Sequence, residues 1–169
     1  MSTLVALRHN GVAVLATDSF LYTPDGSTIL SDHEPKVFEV APGVFYGWSG
    51  FKALAGPQVL QAEVLGRSMA TGNLARFADA LDFASMSYMR ILADAILADG
   101  IQEEHISGEV PFHAYALAGV SEGKPGFLAR QFSLKDGQIS RDEVTAFEPA
   151  PDGGPIVYVT FGGAISDLV

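Results

Sequence analysis

The run Ser2-Thr3-Leu4-Val5-Ala6-Leu7-Arg8-His9-Asn10-Gly11-Val12-Ala13-Val14-Leu15-Ala16-Thr17-Asp18-Ser19 decides how this chain folds. Thr3 to Leu7 is apolar and rich in β-formers. It runs into Asn10-Gly11, the strongest short hairpin signal, because both turn positions favour positive φ. Val12 to Ala16 is then the return strand. The chain therefore opens on a hairpin of Thr3 to Leu7 against Val12 to Ala16.

Working outward, Thr23-Pro24-Asp25-Gly26 predicts a turn. Lys36 to Val40 and Val44 to Trp48 predict a second hairpin across Ala41-Pro42-Gly43. The period then becomes helical. Pro57 suits a first helical turn, where its missing N–H costs nothing. Leu60, Val64 and Met69, with Leu65 beside them, form an apolar stripe. Asn73 is placed to cap a second helix. Leu74, Phe77, Leu81, Ala84, Tyr88, Leu92 and Ile96 trace its stripe, and Asp99-Gly100 ends it. The two helices are expected to pack antiparallel. Phe112 to Val120, the turn Ser121-Glu122-Gly123-Lys124, and Phe127 to Leu134 predict a hairpin. Asp136-Gly137 is another turn. Ile156 to Phe161 is a last strand, after which Gly162-Gly163 leads into a helix start at Ala164 to Val169. Strands, two helices, then strands again predict one α+β domain over residues 1–169.

The composition agrees with one domain. The chain has 169 residues, which corresponds to roughly one domain and enough length to bury a core without staples. It lacks cysteine, so disulfides and thiolate chemistry are excluded. Ten basic against twenty acidic residues give a net charge of -10, which argues against nucleic acid and against anionic membrane as partners. The first twenty residues carry Arg8 and Asp18 and hold no signal-peptide core, and no apolar run is long enough for a membrane helix, so a cytoplasmic location is expected. Only 18% of residues are charged while 48% are hydrophobic, and mean hydropathy is +0.23. For a small domain with much surface, that balance points to burial in an oligomer.

Most motif signals are weak. His9, His33, His105 and His113 lack paired metal-ligand spacing, so no metal site is expected and the histidines read as turn and surface residues. Gly119, Gly123 and Gly126 lie in a hairpin and lack the order of a dinucleotide site. No GxSxG elbow is present. The N-terminus is different. Ser2 is small enough for Met1 to be removed, which would leave a hydroxyl and a free α-amine on one residue. Such an amine, with an ordinary pKa of ~8, can serve as its own residue's general base. That chemistry needs a cation to lower the amine's proton affinity, a carboxylate to hold the cation, and an N–H for the oxyanion.

The Ser2–Ser19 run resembles the start of proteasome β-type subunits, including HslV-like bacterial peptidases. These begin with a threonine, run a strand, turn, and return into Ala-X-Asp-Ser/Gly. Ser31-Asp32-His33-Glu34-Pro35-Lys36-Val37-Phe38-Glu39-Val40 is similar to the family's Lys-[Ile/Leu/Val]-Phe-X-[Ile/Val] strand. Phe45-Tyr46-Gly47-Trp48-Ser49-Gly50 is similar to its glycine turn into the first helix. The order of elements agrees over most of the chain.

The resemblance implies a four-layer αββα sandwich of the N-terminal-nucleophile (Ntn) hydrolase type. It implies Ser2 as nucleophile, Lys36 as the cation, Asp18 as the carboxylate holding it, and the Gly47 N–H as oxyanion donor, with Leu21 and Phe45 near an apolar side-chain pocket. No cofactor is implied. The implied partners are a peptide or unfolded protein substrate, other copies in a homo-oligomeric ring, and an ATP-dependent unfoldase. There are three departures. Serine replaces threonine at Ser2. The family's Gly-Ser-Gly serine is missing from Thr160-Phe161-Gly162-Gly163. The family continues with a second helical layer, of which only Ala164–Val169 gives a hint. That layer is therefore expected to be truncated or missing, with the natural chain continuing or neighbours covering the sheet. The alternative reading is a non-catalytic ring or scaffold subunit on the same fold.

Overall fold

The computed structural model describes residues 2–22, 28–69, 71–98 and 111–162. Met1, the Thr23–Gly26 turn, Asp99-Gly100, His105, Gly163 and the expected helix start at Ala164–Val169 lie outside the described residues. In chain order the elements are β1 (Ser2–His9), β2 (Val12–Thr17), β3 (Leu21–Tyr22), β4 (Ile29–Ser31), β5 (Val37–Ala41) and β6 (Val44–Gly50). Then come α1 (Lys52–Ser68), α2 (Leu74–Ala98), β7 (His113–Ser121), β8 (Lys124–Lys135), β9 (Gln138–Ala146) and β10 (Ile156–Gly162). The chain is α+β, with antiparallel sheets.

The opening hairpin forms as read. β1 pairs β2 across Asn10 and Gly11, which adopt φ of +48° and +74°. β10 pairs the other edge of β1, giving the order β10-β1-β2. The larger sheet runs β5-β6-β7-β8-β9. One of its faces carries α1 and α2, and the core there includes Tyr46, Trp48, Leu54, Phe77, Leu81, Leu117, Leu128 and Phe132. Its other face meets β1 and β10 through a layer rich in small residues, with Leu4, Ala6, Ala116, Ala118, Phe127, Ala129 and Ala146 buried together. Alternation along β7 makes both contacts possible, since Tyr115 and Leu117 point to the helices and Ala116 and Ala118 to the second sheet.

The helices correct the sequence reading in two respects. α1 starts five residues before Pro57, so that proline sits inside the helix, and the face it buries is Leu54, Ala55, Gln58, Val59 and Ala62. Leu60 and Val64 are exposed instead. In α2 the cap is as expected, with the Arg76 N–H donating to Asn73 Oδ1 at 2.9 Å. The buried stripe keeps Leu74, Phe77 and Leu81, then drifts to Ser85, Met89 and Ala93, which leaves Tyr88 half-exposed. Buried polar positions explain the misreading. Gln58 and Ser85 occupy core positions and bond to each other at 3.2 Å, and Gln61 Nε2 reaches the Ala84 carbonyl. These pairings, with the short Met69–Asn73 connection, make the helix pair antiparallel.

His113 is a further correction, because it is fully buried rather than at the surface. Its Nε2 and the Tyr46 hydroxyl both bond Gln58 Oε1 at 2.6 Å, and its ring stacks on Phe132. Donation from Nε2 fixes the neutral tautomer. Burial pushes its pKa from 6.5 down to about 3. The folded protein therefore refuses a proton that the unfolded chain accepts below pH ~6.5, so stability falls as pH drops from there toward 3. Urea titrations across that range should show up to ~1.4 kcal/mol lost per pH unit from this group, and His113→Gln should flatten the slope. An unchanged slope in the variant would contradict this assignment.

Candidate active site

The site is assembled by a cation that the fold places out of water. Lys36 immediately precedes β5, and its side chain has no solvent exposure. Burying an ammonium is costly unless every donor is satisfied and a counter-charge is near. Here all three N–H donors have acceptors. Lys36 Nζ donates to Ser2 Oγ at 2.8 Å, to the Phe20 carbonyl at 2.5 Å, and to Asp18 Oδ1 in an ion pair. Trp48 closes the remaining side, its ring centroid 5.5 Å from Nζ, in reach of a cation–π contact.

The local backbone fixes each acceptor. Asp18 lies just beyond β2, where Asp18 N–H returns to the Thr3 carbonyl at 3.3 Å. Its carboxylate also accepts the N–H groups of Thr3 and Phe20, so both oxygens are held. Ser2 opens β1 opposite Gly162 of β10. Its carbonyl accepts a 2.6 Å hydrogen bond from Ser49 Oγ, which ties the chain start to the end of β6. Glu34, two residues before Lys36, is anchored by its N–H to the Ser19 carbonyl at 2.9 Å and pairs with Lys52 at the start of α1. Ser2, Asp18 and Lys36, separated in sequence, thus meet at one corner between the two sheets.

The other expected residues are placed differently. Gly47 lies inside β6, flanked by Val37 of β5 and Ala116 of β7. Trp48 N–H donates to the Lys36 carbonyl at 3.1 Å. By strand alternation that makes Val37 and Gly47 a non-hydrogen-bonded pair, so the Gly47 N–H points into the ladder with β7. A Cβ on Gly47 would meet Leu4 Cδ1 at 3.2 Å, so this glycine lets the two sheets approach and does not face the Lys36 corner. Gly50 is the glycine the sequence reading passed over. It ends β6 with φ of +125°, and an added Cβ would lie 2.5 Å from the Phe112 carbonyl. The same alternation sends its N–H to the side of β5, where that strand has already ended. Ser49, Gly50, Trp48 and the Phe20 carbonyl therefore join the corner. Their only sequence signal was the spacing between Lys36 and the start of α1.

Leu21 is half-buried in β3, next to Phe20. Phe45 is exposed on β6, four residues and so ~13 Å of strand from Ser49. It does not join the corner. Among the described residues no group of three His, Asp or Glu is disposed to hold a metal ion, and no helix is long and apolar enough to cross a membrane. No protein-family model and no curated protein matches the chain.

The buried ammonium should be the most demanding element here. Asp18→Ala leaves Lys36 charged, buried and short of its counter-ion, at a cost of about 3 kcal/mol. Lys36→Met keeps the stem volume and leaves a carboxylate that solvent can reach, so its cost should be smaller. Urea midpoints for the two variants check the order, and a larger loss in Lys36→Met would contradict it.

Proposed function

We propose that the protein is an N-terminal-nucleophile amide hydrolase that cleaves peptide bonds with the Ser2 hydroxyl once Met1 has been removed. The observation that carries this reading is the Lys36 ammonium bound at once to Ser2 Oγ, Asp18 and the Phe20 carbonyl. A surface lysine would have no reason to be so enclosed. The reading brings with it the four-layer αββα architecture, a homo-oligomeric ring, a peptide or unfolded protein substrate, and a separate ATP-dependent unfoldase. It needs no cofactor.

In the proposed reaction the Ser2 oxygen attacks a peptide carbonyl carbon while its proton moves to the Ser2 α-amine. Lys36 is not assigned the role of base, because its three N–H groups already donate to Ser2 Oγ, the Phe20 carbonyl and Asp18. Its role is to keep Oγ in place, to lower the proton affinity of the amine beside it, and to stabilise developing negative charge. The Gly50 N–H, rather than that of Gly47, receives the carbonyl oxygen. The tetrahedral centre collapses, the C–N bond breaks, and the α-ammonium returns its proton to the leaving amine. Water then attacks the ester with the amine again as base, releasing the acid and restoring Ser2.

A non-catalytic ring or scaffold subunit is the second reading. It is favoured by Thr160-Phe161-Gly162, which stands where the resembling family carries the serine that supports the nucleophile's amine.

The test uses protein with a mass-verified Ser2 terminus and fluorogenic peptides. Turnover should rise with pH along one ascending limb below ~8, as the amine loses its proton. Ser2→Ala should lose at least ~1,000-fold in kcat/KM, and Lys36→Ala should lose ~100-fold or more. Protein that retains Met1 should be inactive. Equal turnover by wild type and Ser2→Ala would end the proposal. Native protein that keeps Met1 would favour the scaffold.

A further inference from the structure

One hydroxyl stands out in the layer between the two sheets. The buried side chains there are mostly alanine, and β6 contributes Gly47 and, two residues on and so on the same face, Ser49. A Cβ on Gly47 would meet Leu4, and Ser49 meets Ser2, two residues before Leu4. Ser49 has no solvent exposure and lies opposite Ala114 of β7. An alanine would fill such a position as its neighbours do. A buried hydroxyl costs free energy there unless it is hydrogen-bonded. The Ser49 hydroxyl donates to the Ser2 carbonyl at 2.6 Å.

That carbonyl belongs to the peptide group joining Ser2 to Thr3, and the N–H of the same group is bound too, by Asp18 Oδ2. The group is planar, so a hydroxyl at one polar atom and a carboxylate at the other clamp the whole plane. With Met1 removed, Ser2 hangs from this plane by its single Cα–C bond. Rotation about that bond swings the α-amine and the hydroxymethyl group together. Lys36 Nζ reaches only the hydroxyl, at 2.8 Å. Thr3 turns its N–H and carbonyl toward Asp18, so by strand alternation the Ser2 nitrogen faces β10, where Gly162 is its partner. The plane thus sets where both reactive atoms of Ser2 lie.

We infer, on the reading of Ser2 as nucleophile, that Ser49 is a positioning residue: its hydroxyl fixes the Ser2–Thr3 peptide plane, and through it the placing of the Ser2 hydroxyl and amine. Ser49 also immediately precedes Gly50, the oxyanion donor proposed above. Gly50 is itself held against β7, where any added Cβ would lie 2.5 Å from the Phe112 carbonyl. One hydrogen bond therefore ties the nucleophile's own peptide group to the strand end that carries the oxyanion donor, and keeps the two at a constant separation. Reaction rates are steep in such distances, and a misplacement of about 1 Å can cost about 100-fold. Being buried, Ser49 does not touch the substrate. A serine that only filled space between the sheets would lower stability on removal and leave the chemistry of Ser2 alone.

The test compares wild type, Ser49→Ala and Ser49→Thr, each with a mass-verified Ser2 terminus and checked for folding by circular dichroism. Two readouts are taken: kcat and KM on fluorogenic peptides, and the pKa of the Ser2 α-amine from the pH dependence of its acetylation by acetic anhydride, located by peptide mapping. Ser49→Ala should lower kcat by ~10- to 100-fold with KM nearly unchanged, the pattern of an interaction that serves the transition state. Its amine pKa should rise toward the ordinary ~8, because the nitrogen is no longer held beside Lys36. Ser49→Thr keeps the donor and should restore most of kcat. If it does not fold, Ser49→Cys, a weak donor, replaces it and should give intermediate values. An amine pKa in Ser49→Ala equal to that of wild type would overturn the positioning role, even where peptides are hydrolysed. A loss confined to KM would overturn it as well. Wild type without Ser2-dependent turnover would end the hydrolase reading, whereas a raised amine pKa in Ser49→Ala would still support the placing of Ser2 by Ser49.

Discussion

The Lys36 ammonium is the constraint around which the candidate site is organised. A charge with no solvent exposure stays folded only if each of its three donors and its counter-charge is supplied in fixed geometry. Those groups come from β1, from the segment that follows β2, and from the approach to β3, while Lys36 itself leads into the other sheet. One cation therefore joins one end of the three-stranded sheet, where β1 begins and β2 finishes, to the start of the five-stranded one. Ser49 adds a second tie, from the end of β6 to the Ser2 carbonyl. The hydroxyl of Ser2 is consequently held by a donor and left free to give up its own proton.

The two interfaces of the five-stranded sheet are built differently. Toward β1 and β10 the buried layer is mostly alanine, with Leu4 and Phe127 as the larger members. Small side chains let the sheets come close, and Gly47 with its bare Cα is part of that closeness. Toward the helices the layer is thicker and partly polar. Arg130 bonds Asp82, Asp79 and Glu143, while the Tyr115 hydroxyl donates to Asp82. Burial raises the hydroxyl pKa of Tyr46 and Tyr115 well above the ordinary value, so both remain protonated donors. These networks orient α1 and α2 on the sheet and leave a neutral, apolar side facing out. The positive mean hydropathy is thereby located, on the α1–α2 surface and on the outer face of β10-β1-β2.

Much of the architecture was legible because period-2 patterns and turn residues are local signals. The Asn10-Gly11 and Asp136-Gly137 turns and the Asn73 cap could be read directly, whereas Ser2, Asp18 and Lys36 were expected together only through the family resemblance, because each alone reads as a turn or surface residue. What failed to show had physical reasons. α1 carries apolar residues on both sides, so Leu60 and Val64 read as core while Gln58, a true core residue, did not. β9 is an edge strand with the charged run Ser140-Arg141-Asp142-Glu143, and it gave no alternation to read. The burial of His113 depends on Gln58, 55 positions away. The choice between Gly47 and Gly50 turns on the direction of a backbone N–H, which depends on strand pairing and not on composition.

The central claim is that Lys36 holds Ser2 as a nucleophile. It is tested most directly by peptide mapping of protein with a Ser2 terminus after treatment with a peptide electrophile that captures hydroxyl groups. The account predicts one adduct, on Ser2, formed by the wild type and lost in Lys36→Ala although that variant remains folded. An adduct on another residue, or one on Ser2 that forms equally fast without Lys36, would contradict it.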